Sequence, residues 1–479
     1  MDARFRVLTI ERYERAVRFR APFRFGASTI TGAPQAFVRA RIEFPDGATE
    51  AGAAAEMMMP KWFDKSPDRS ESDNIVDLRR ALVSAADAYS SDHRHRTAFG
   101  HHAAHARALE MASEARGSNA LTALFGASLV DRALLDASCR RLRIPFVEAM
   151  RANMPGIEAE AIAPDLAGFD IAGFLSARTA RNRVALRHTI GLADPLEARE
   201  MARPSHHAPC TLEDVIAIHR PRCFKLKLSG NVAADLNRIA RVARVLDRAL
   251  ESYRVTLDGN EQFHAVEDAV ELWRAIDRDP RLSRFAASVL WIEQPLARET
   301  TRRASVHALA AFKPLLIDES DATPDAFPRA RSLGYTGVSS KSCKGIYKSV
   351  VNAGRCAQWN AQAGEERFFL SAEDLTTQAG ISLQQDLALA GFLGIEHVER
   401  NGHHYVDGFE GEGATEIEAR SFLAAHGDLY EASNGSARVS IHDGTLRFAS
   451  LEVPGYASAA EPDWSTLAPI GSAVVSESP

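Results

Sequence analysis

The spacing of apolar residues changes along the chain, and each change marks a different kind of element. Between residues 5 and 56 the pattern is that of a strand meander. Residues 37–44 alternate between two faces, Asp46-Gly47 supplies a hairpin turn, and the chain returns through 49–56. Met57, Met58, Met59, Trp62 and Phe63 follow where a loop is expected. They form either a small core under the sheet or a lid over a pocket. Residues 70–116 are helical and polar, with His93, His95, His101, His102 and His105 close together. No carboxylate or cysteine accompanies these histidines at a fixed ligand spacing, so the stretch reads as a solvated insertion rather than a metal site. Over 120–142, Leu121, Leu124, Phe125, Leu129, Ala133 and Leu134 share one side of a helix, and Asp131 and Asp136 within it read as structural.

From residue 184 to beyond 396, short apolar strands alternate with amphipathic helices. The strands fall at 184–190, 223–228, 254–258, 289–293, 315–318, 335–341, 368–370 and near 395–398. Helices fit 211–219, 232–252, 264–277, 300–311, 324–333, 345–362 and 379–393. The helix at 232–252 carries Leu236, Ile239, Ala243, Leu246 and Leu250 as a stripe for a sheet. Eight such units predict a closed parallel barrel; an open doubly wound sheet is the alternative. The link 191–210 is long. In the tail, 437–442 and 445–448 read as a hairpin around Asp443-Gly444 that returns to the N-terminal sheet or the barrel, and Ser472 to Pro479 read as loose. The expected class is α/β, a modified TIM (β/α) barrel with an N-terminal α+β capping domain. Residues 1–142 form the cap, 143–404 the barrel and 405–479 the returning segment.

Composition narrows this only slightly. The 479 residues exceed one ordinary domain, and 46% apolar with 25% charged residues suits a soluble enzyme. A formal charge of −6 gives no reason to expect nucleic acid. The N-terminus lacks a signal-peptide core, and no apolar run approaches the ~20 residues needed to span a bilayer. Five dispersed cysteines without Cys-x-x-Cys point to a reducing, cytoplasmic setting. A homo-oligomer is left open.

The charged residues carry the chemistry. Lys227, Asp258, Glu293, Asp318 and Lys341 close successive predicted strands, at intervals of 31, 35, 25 and 23 positions. Charges at the C-terminal ends of parallel strands converge on one rim of a barrel. A Lys-x-Lys pair commonly protects an exposed strand edge. A closed barrel has no edges, so Lys225 and Lys227, sharing a strand face, enter its mouth. Mutual repulsion is expected to lower a lysine pKa toward the ~7–8 of a general base. Asp258, Glu293 and Asp318 would repel one another without a shared cation, and oxygen ligands with neither His nor Cys select Mg²⁺ or Mn²⁺. One such carboxylate alone is ordinarily a helix cap. A metal between lysines suits removal of the proton α to a carboxylate, with the enediolate stabilised by positive charge. Lys341, from the opposite wall, would address the other face of the α-carbon.

This set resembles the enolase superfamily, whose Lys or His base working with Mg²⁺ is a known pattern. Lys225-Leu-Lys227, Asp258-Gly-Asn260, Ile292-Glu-Gln-Pro295, Ile317-Asp-Glu-Ser320 and Lys341 fall in family order. Glu373 stands where members often carry an acidic residue after the seventh strand. The helix around Val130 to Asp136 and the tail with Asp443-Gly444 and Pro454-Gly455 extend the likeness to about residues 5–465. The paired lysines resemble the muconate-lactonising-enzyme subgroup of cycloisomerases, epimerases, racemases and succinylbenzoate synthases. A mandelate-racemase type would want a His where Leu370-Ser-Ala-Glu373 stands. The resemblance implies that Asp258, Glu293 and Asp318 bind Mg²⁺, that Lys227 and Lys341 are the acid/base pair, and that Lys225 stabilises the enediolate. Asn260, Gln294, Glu319 and Glu373 are implied around a small-molecule carboxylate substrate, and Met58 and Trp62 are expected there if the apolar cluster after the N-terminal sheet is a lid. Lys344-Gly345-Ile346 replaces the glycine pair usual after Lys341, and the segments 23–31 and 56–63 match no specificity pattern. The implied reaction is a racemisation, epimerisation or cycloisomerisation. A lyase, such as an acid-sugar dehydratase or a succinylbenzoate-synthase-like enzyme, and a non-catalytic ligand binder are the alternatives. A Schiff-base aldolase would leave three acidic strand ends without a use.

Overall fold

The computed structural model describes residues 3–201, 210–375, 377–411, 413–433 and 436–471. Part of the link 191–210, and Ser472 to Pro479, therefore lie outside the described residues. The chain opens with three long antiparallel strands, β1 (Arg6–Phe25), β2 (Ser28–Glu43) and β3 (Thr49–Met57). Three helices follow, α1 (Glu71–Ser90), α2 (Ala98–Glu114) and α3 (Ala120–Leu142). Helix α3 lies against β3 so closely that a Cβ on Gly52 would stand 2.2 Å from the amide nitrogen of Ala137. Only glycine permits that approach.

Next come β4 (Arg183–Ile190), β5 (Cys223–Lys227), β6 (Arg254–Asp258), β7 (Val289–Glu293), β8 (Leu315–Ile317), β9 (Gly337–Ser340), β10 (Phe369–Glu373) and β11 (His397–Arg400). Each pairs in parallel with the next, and β11 pairs with β4 to close an eight-stranded barrel. The amphipathic helices Val232–Ala249 and Val266–Arg278 bury Ile239, Leu246, Leu272 and Trp273 on the outside of the barrel, as their stripes require. Phe99 of α2 meets Tyr347 of the barrel edge-to-face at 5.3 Å, and Phe146 stacks on Tyr456 of the tail at 4.0 Å. Cap, barrel and tail share one apolar core.

Three local expectations need revision. The histidine-rich stretch is solvated only in part: His93 and His95 are exposed, but two of its histidines are buried. His101 is fully buried with its Nε2 2.9 Å from the carbonyl of Phe5, and His102 meets Asp131 at 2.7 Å. The predicted helix 300–311 is two short turns, Arg298–Thr301 and His307–Ala310, and between them the amide of Val306 bonds out of the helix to the carbonyl of Leu333 at 2.8 Å. The tail hairpin forms only at its turn, where His442 and Thr445 exchange backbone bonds at 3.0 and 2.9 Å; beyond that pair its predicted strands do not pair with each other. β13 (Ser436–Val439) pairs with β12 (Tyr430–Ser433), and β14 (Thr445–Arg447) pairs with the start of β4. The turn's own backbone is used elsewhere: Gly444 donates to His219, and Leu186 donates to Gly444 at 2.7 Å. A last short strand, β15 (Ala468–Pro469), joins the edge of β1, so the tail reaches both barrel and cap.

Asp136 ties these parts together. Its carboxylate accepts from the amides of Ala53 at 2.8 Å and Tyr456 at 2.6 Å and from Arg140 Nε at 2.8 Å. Asp136→Ala leaves two buried donors unpaired and should lower unfolding stability by about 2–4 kcal/mol in urea melts; a loss under ~0.5 kcal/mol would show that the tie carries no weight.

Candidate active site

Parallel register places the strand-end charges at one level. Lys227 pairs with Asp258, Asp258 with Glu293, and Glu373 with Glu399. Asp318 and Lys341 follow directly on β8 and β9. Glu373 is the last residue of β10, which runs farther than expected. Since alternate residues of a strand share a face, Lys225 and Lys227 both point inward. All of these side chains are buried.

The ammonium of Lys225 is the hub. It lies 2.9 Å from Asp258, 2.8 Å from Glu293, 2.8 Å from Glu373 and 2.7 Å from Glu399. Lys227 donates to Asp258 Oδ2 at 2.7 Å. Lys341 donates to Asp318 Oδ2 at 2.7 Å and pairs with Glu373 at 3.0 Å. Lys344 adds a contact to Asp318 Oδ1 at 3.2 Å. The expected lowering of lysine pKa by mutual repulsion is not what this arrangement gives. Burial does act against the ammonium of Lys225, but the four surrounding carboxylates outweigh it and hold the pKa well above the ordinary lysine value. Burial is likewise outweighed at Lys341, by Asp318 and Glu373. Among the acids, burial raises Glu293 well above the usual carboxylate range, with Asp258 and Glu373 adding to it. Asp258 is also buried, yet Lys225 and Lys227 pull it below that range.

Oxygens of Glu293, Asp318 and Glu373 lie within 4.8 Å of one another, the one group of its kind among the described residues. Mg²⁺ binds oxygen at ~2.0–2.1 Å, which sets trans ligands about 4.2 Å apart, so these side chains need shift little to enclose an ion. Glu293 Oε2 is buried without a hydrogen-bond partner, a cost that an ion would relieve, while Glu373 Oε1 has the Arg187 guanidinium at 3.6 Å. The donor set fits a divalent, oxygen-preferring cation. Asp258 is near this group but not in it.

Folds of this shape are known. No protein-family model matches the chain, and no curated protein is similar to it. Solved structures are. A muconate lactonizing enzyme from Mucobacterium Smegmatis, complexed with muconolactone, matches with a TM-score of 0.58 at 16% identity, over 96% of this chain and 98% of that one. The L-Ala-D/L-Glu epimerase from Bacillus subtilis matches with a TM-score of 0.58 at 15% identity, over 95% and 99%. An enolase from Bradyrhizobium, complexed with magnesium and mandelic acid, matches with a TM-score of 0.58 at 16% identity, over 97% and 98%. The chain has their fold.

Above the acids the barrel mouth is covered. Phe23 and Phe25 at the tip of the β1–β2 hairpin, with Met59 and Trp62 after β3, close over Lys227, Lys341, Asn260 and Glu399. The space between them is about 20 Å³, enough for one water. A larger cavity, about 1080 Å³, opens at the other end of the barrel among Trp291, Phe369 and His397, away from the rim charges. The chemistry, not the volume, marks the site. Trp62 lies over the Lys341 ammonium, which is 4.5 Å from its ring centroid. Met58 is fully buried and does not line the pocket; Met59 stands there instead.

The remaining predicted residues divide by what they touch. Asn260 lines the pocket, its backbone at φ +42° and its amide bonded to Asp258 Oδ1 at 2.8 Å. Glu319 accepts from Lys65 at 2.7 Å and from Asn260 Nδ2 at 3.2 Å. Gln294 does not face the pocket. Its side chain accepts from the amides of Asp318 at 2.9 Å and Ser320 at 3.1 Å, and so fixes the end of β8. Sequence reasoning missed Glu399 and Asn401 at the end of β11, Asp374 after β10, and the latch residue Lys65. Glu399 obeys the same strand-end rule as the others, but the eighth strand was the faintest. Asp374 lines the pocket, and burial raises its pKa to about 7. Among the described residues, no helix is long and apolar enough to cross a membrane.

Lys65 latches the covering loop to the rim, pairing with Glu319 at 2.7 Å and Glu261 at 2.8 Å and donating to the carbonyl of Asn260 at 3.0 Å. Arg298 adds bonds to the carbonyls of Trp62 and Phe63. Lys65→Ala should speed hydrogen exchange across residues 58–66 by about tenfold or more while α3 keeps its protection. Unchanged exchange in that loop would show that packing of the loop, and not the latch, holds it down.

Proposed function

We propose that the chain is a divalent-metal-dependent enzyme of the enolase superfamily, of the muconate-lactonising-enzyme type. It removes the α-proton of a small carboxylate substrate and acts as a racemase, epimerase or cycloisomerase. The observation that carries this reading is the placing of Lys227 and Lys341. They close β5 and follow β9, four strands apart in a ring of eight, and line one pocket from opposite walls.

Glu293 and Asp318, with a third barrel carboxylate, would hold Mg²⁺ or Mn²⁺, and the bound ion supplies positive charge for the substrate carboxylate as its α-carbon becomes electron-rich. The chain's own residues do the rest. Lys227 and Lys341 each reach one face of the α-carbon, so that one takes the proton at its Nζ and the other returns one. Lys225, held as an ammonium, keeps the acids below the substrate together and adds positive charge beneath it. Phe23, Phe25, Met59 and Trp62 exclude water from the reacting carbon once closed. The free space is too small for a substrate, so admission requires the hairpin tip or the 58–65 loop to open.

Two bases on two walls make a two-sided prediction, checked by NMR in D₂O with Mg²⁺ over a panel of acyl amino acids and acidic metabolites. Replacing either lysine with alanine should cut turnover by roughly 10²–10⁴-fold. Lys227→Ala should still exchange the α-hydrogen of one enantiomer, and Lys341→Ala that of the other. If one variant loses all exchange and the other keeps the wild-type pattern, a single base operates and a lyase or one-base cycloisomerase replaces the racemase reading. Full wild-type activity after verified metal removal would overturn metal dependence.

A further inference from the structure

The two lysines that face the pocket are rooted in different ways. We infer that Asp386, on the helix Ile381–Phe392, is a positioning residue for Lys341 that acts through Ser342, and that Lys227 needs no such clamp. The inference rests on the two-base reading above.

Lys227 is held by the sheet. It pairs in register with Asp258, and the next amide, that of Leu228, still donates to the carbonyl of Asp258 at 2.8 Å. Lys341 stands past the sheet. The ladder of β9 ends at Ser340, and the chain turns at once into the short 3₁₀ segment Ser342–Lys344. Within that turn the amide of Lys344 donates to the carbonyl of Lys341 at 2.9 Å, and that of Gly345 to the carbonyl of Ser342 at 3.1 Å. Bonds inside the turn set its shape but not its place in the barrel.

Its place is set from two sides. On the β8 side Lys344 Nζ donates to the carbonyl of Asp318 at 3.1 Å. On the other side the Ser342 hydroxyl donates to Asp386 Oδ1 at 2.9 Å, and Asp386 Oδ2 accepts from Arg400 Nη1 at 2.6 Å. Arg400 closes β11, and its Nε lies 3.1 Å from Asp374 Oδ2. One carboxylate therefore joins the turn behind Lys341 to a strand end two places around the barrel. Ser342, Asp386, Arg400 and Asp374 are all buried, so water does not compete for these bonds. The ammonium of Lys341 is also held at its tip, by Asp318 and Glu373. Those charge-assisted contacts weaken when the lysine is the neutral base, and the amine then depends on its root. A shift of about 1 Å in a reacting group can cost on the order of 10²-fold in rate.

The test uses the full chain carrying Ser342→Ala, which removes the hydroxyl but leaves Asp386 on Arg400, and Asp386→Ala, with Ser342→Thr as the variant that keeps a hydroxyl. Hydrogen exchange read by mass spectrometry needs no substrate. Residues 341–346 should exchange about tenfold faster or more in both alanine variants, with residues 223–228 within about twofold of wild type and Ser342→Thr close to wild type. The substrate found by the D₂O panel supplies the second readout. The α-hydrogen of the enantiomer that Lys341→Ala no longer exchanges should exchange about tenfold slower or more in Ser342→Ala at nearly unchanged KM, and that of the other enantiomer should change less than about twofold. A residue that merely stabilises the fold would slow both enantiomers alike, and that result would overturn the inference. Unchanged hydrogen exchange across 341–346 in Ser342→Ala would overturn it whatever the substrate, and this variant decides the matter even where Asp386→Ala does not fold. If the lysine variants show that Lys341 exchanges no α-hydrogen, the two-base reading fails and this inference with it. If they behave reciprocally and Ser342→Ala does not tell the enantiomers apart, this inference alone fails.

Discussion

An ammonium shared among four carboxylates is the interaction on which the interior depends. Outside a closed barrel Lys225 would be solvated, and Asp258, Glu293, Glu373 and Glu399 would spread apart. Inside one, none of them reaches water. Removing a lone ion from water costs several kcal/mol, and that cost is offset only while every partner is in place. Loss of the lysine would leave four buried carboxylates facing one another, a change of the class that costs ~3–5 kcal/mol when one member of a buried pair is removed. The charged cluster is therefore a structural element as much as a reactive one. The same ring of acids that holds Lys225 keeps Lys341 protonated, so the pKa pattern of the site depends on anything that engages those acids.

Much of this was legible in the sequence because barrels are periodic. The strands ending at Asp258 and Glu293 lie where the apolar runs put them. The charges at their ends needed only the rule that parallel strands expose one rim. Glu399 was missed for a physical reason. Its strand, His397–Arg400, has a single apolar residue, Val398, between polar neighbours, because its inward face carries charge. A strand whose buried face is polar leaves no apolar alternation to read. The histidines of α2 failed in the opposite sense. His101 and His102 look polar, but each finds a buried partner through one ring nitrogen, and the imidazole of His101 also stacks on Phe5 at 5.0 Å as an aromatic would.

The pairwise outcomes were the least legible. Sequence order proposes that Asp258, Glu293 and Asp318 act as one group, since three consecutive strands carry them. The oxygens that meet are those of Glu293, Asp318 and Glu373, while Asp258 is taken up by the lysines next to it. The tail shows the same limit. Asp443-Gly444 does make the turn, with His442 and Thr445 bonded across it, yet the strand after it goes on to pair with β4 and not with the strand before it.

Cover and floor are mechanically joined through the end of β8. Asp318 belongs to the acids of the floor, and the next residue, Glu319, receives Lys65 from the covering loop. Asn260 bridges the same two levels, with its amide on Asp258 and its side chain on Glu319. Gln294 clamps the intervening backbone through the amides of Asp318 and Ser320, so the carboxylates of Asp318 and Glu319 keep a fixed relation. Glu319 is fully buried, and burial raises its pKa although Lys65 stands beside it. If Lys65 withdraws as the loop opens, Glu319 loses its cationic partner and must gain a proton, admit water or shift. Each response acts on the backbone that also carries Asp318. The cover and the acids beneath it are therefore linked through two adjacent residues at a strand end.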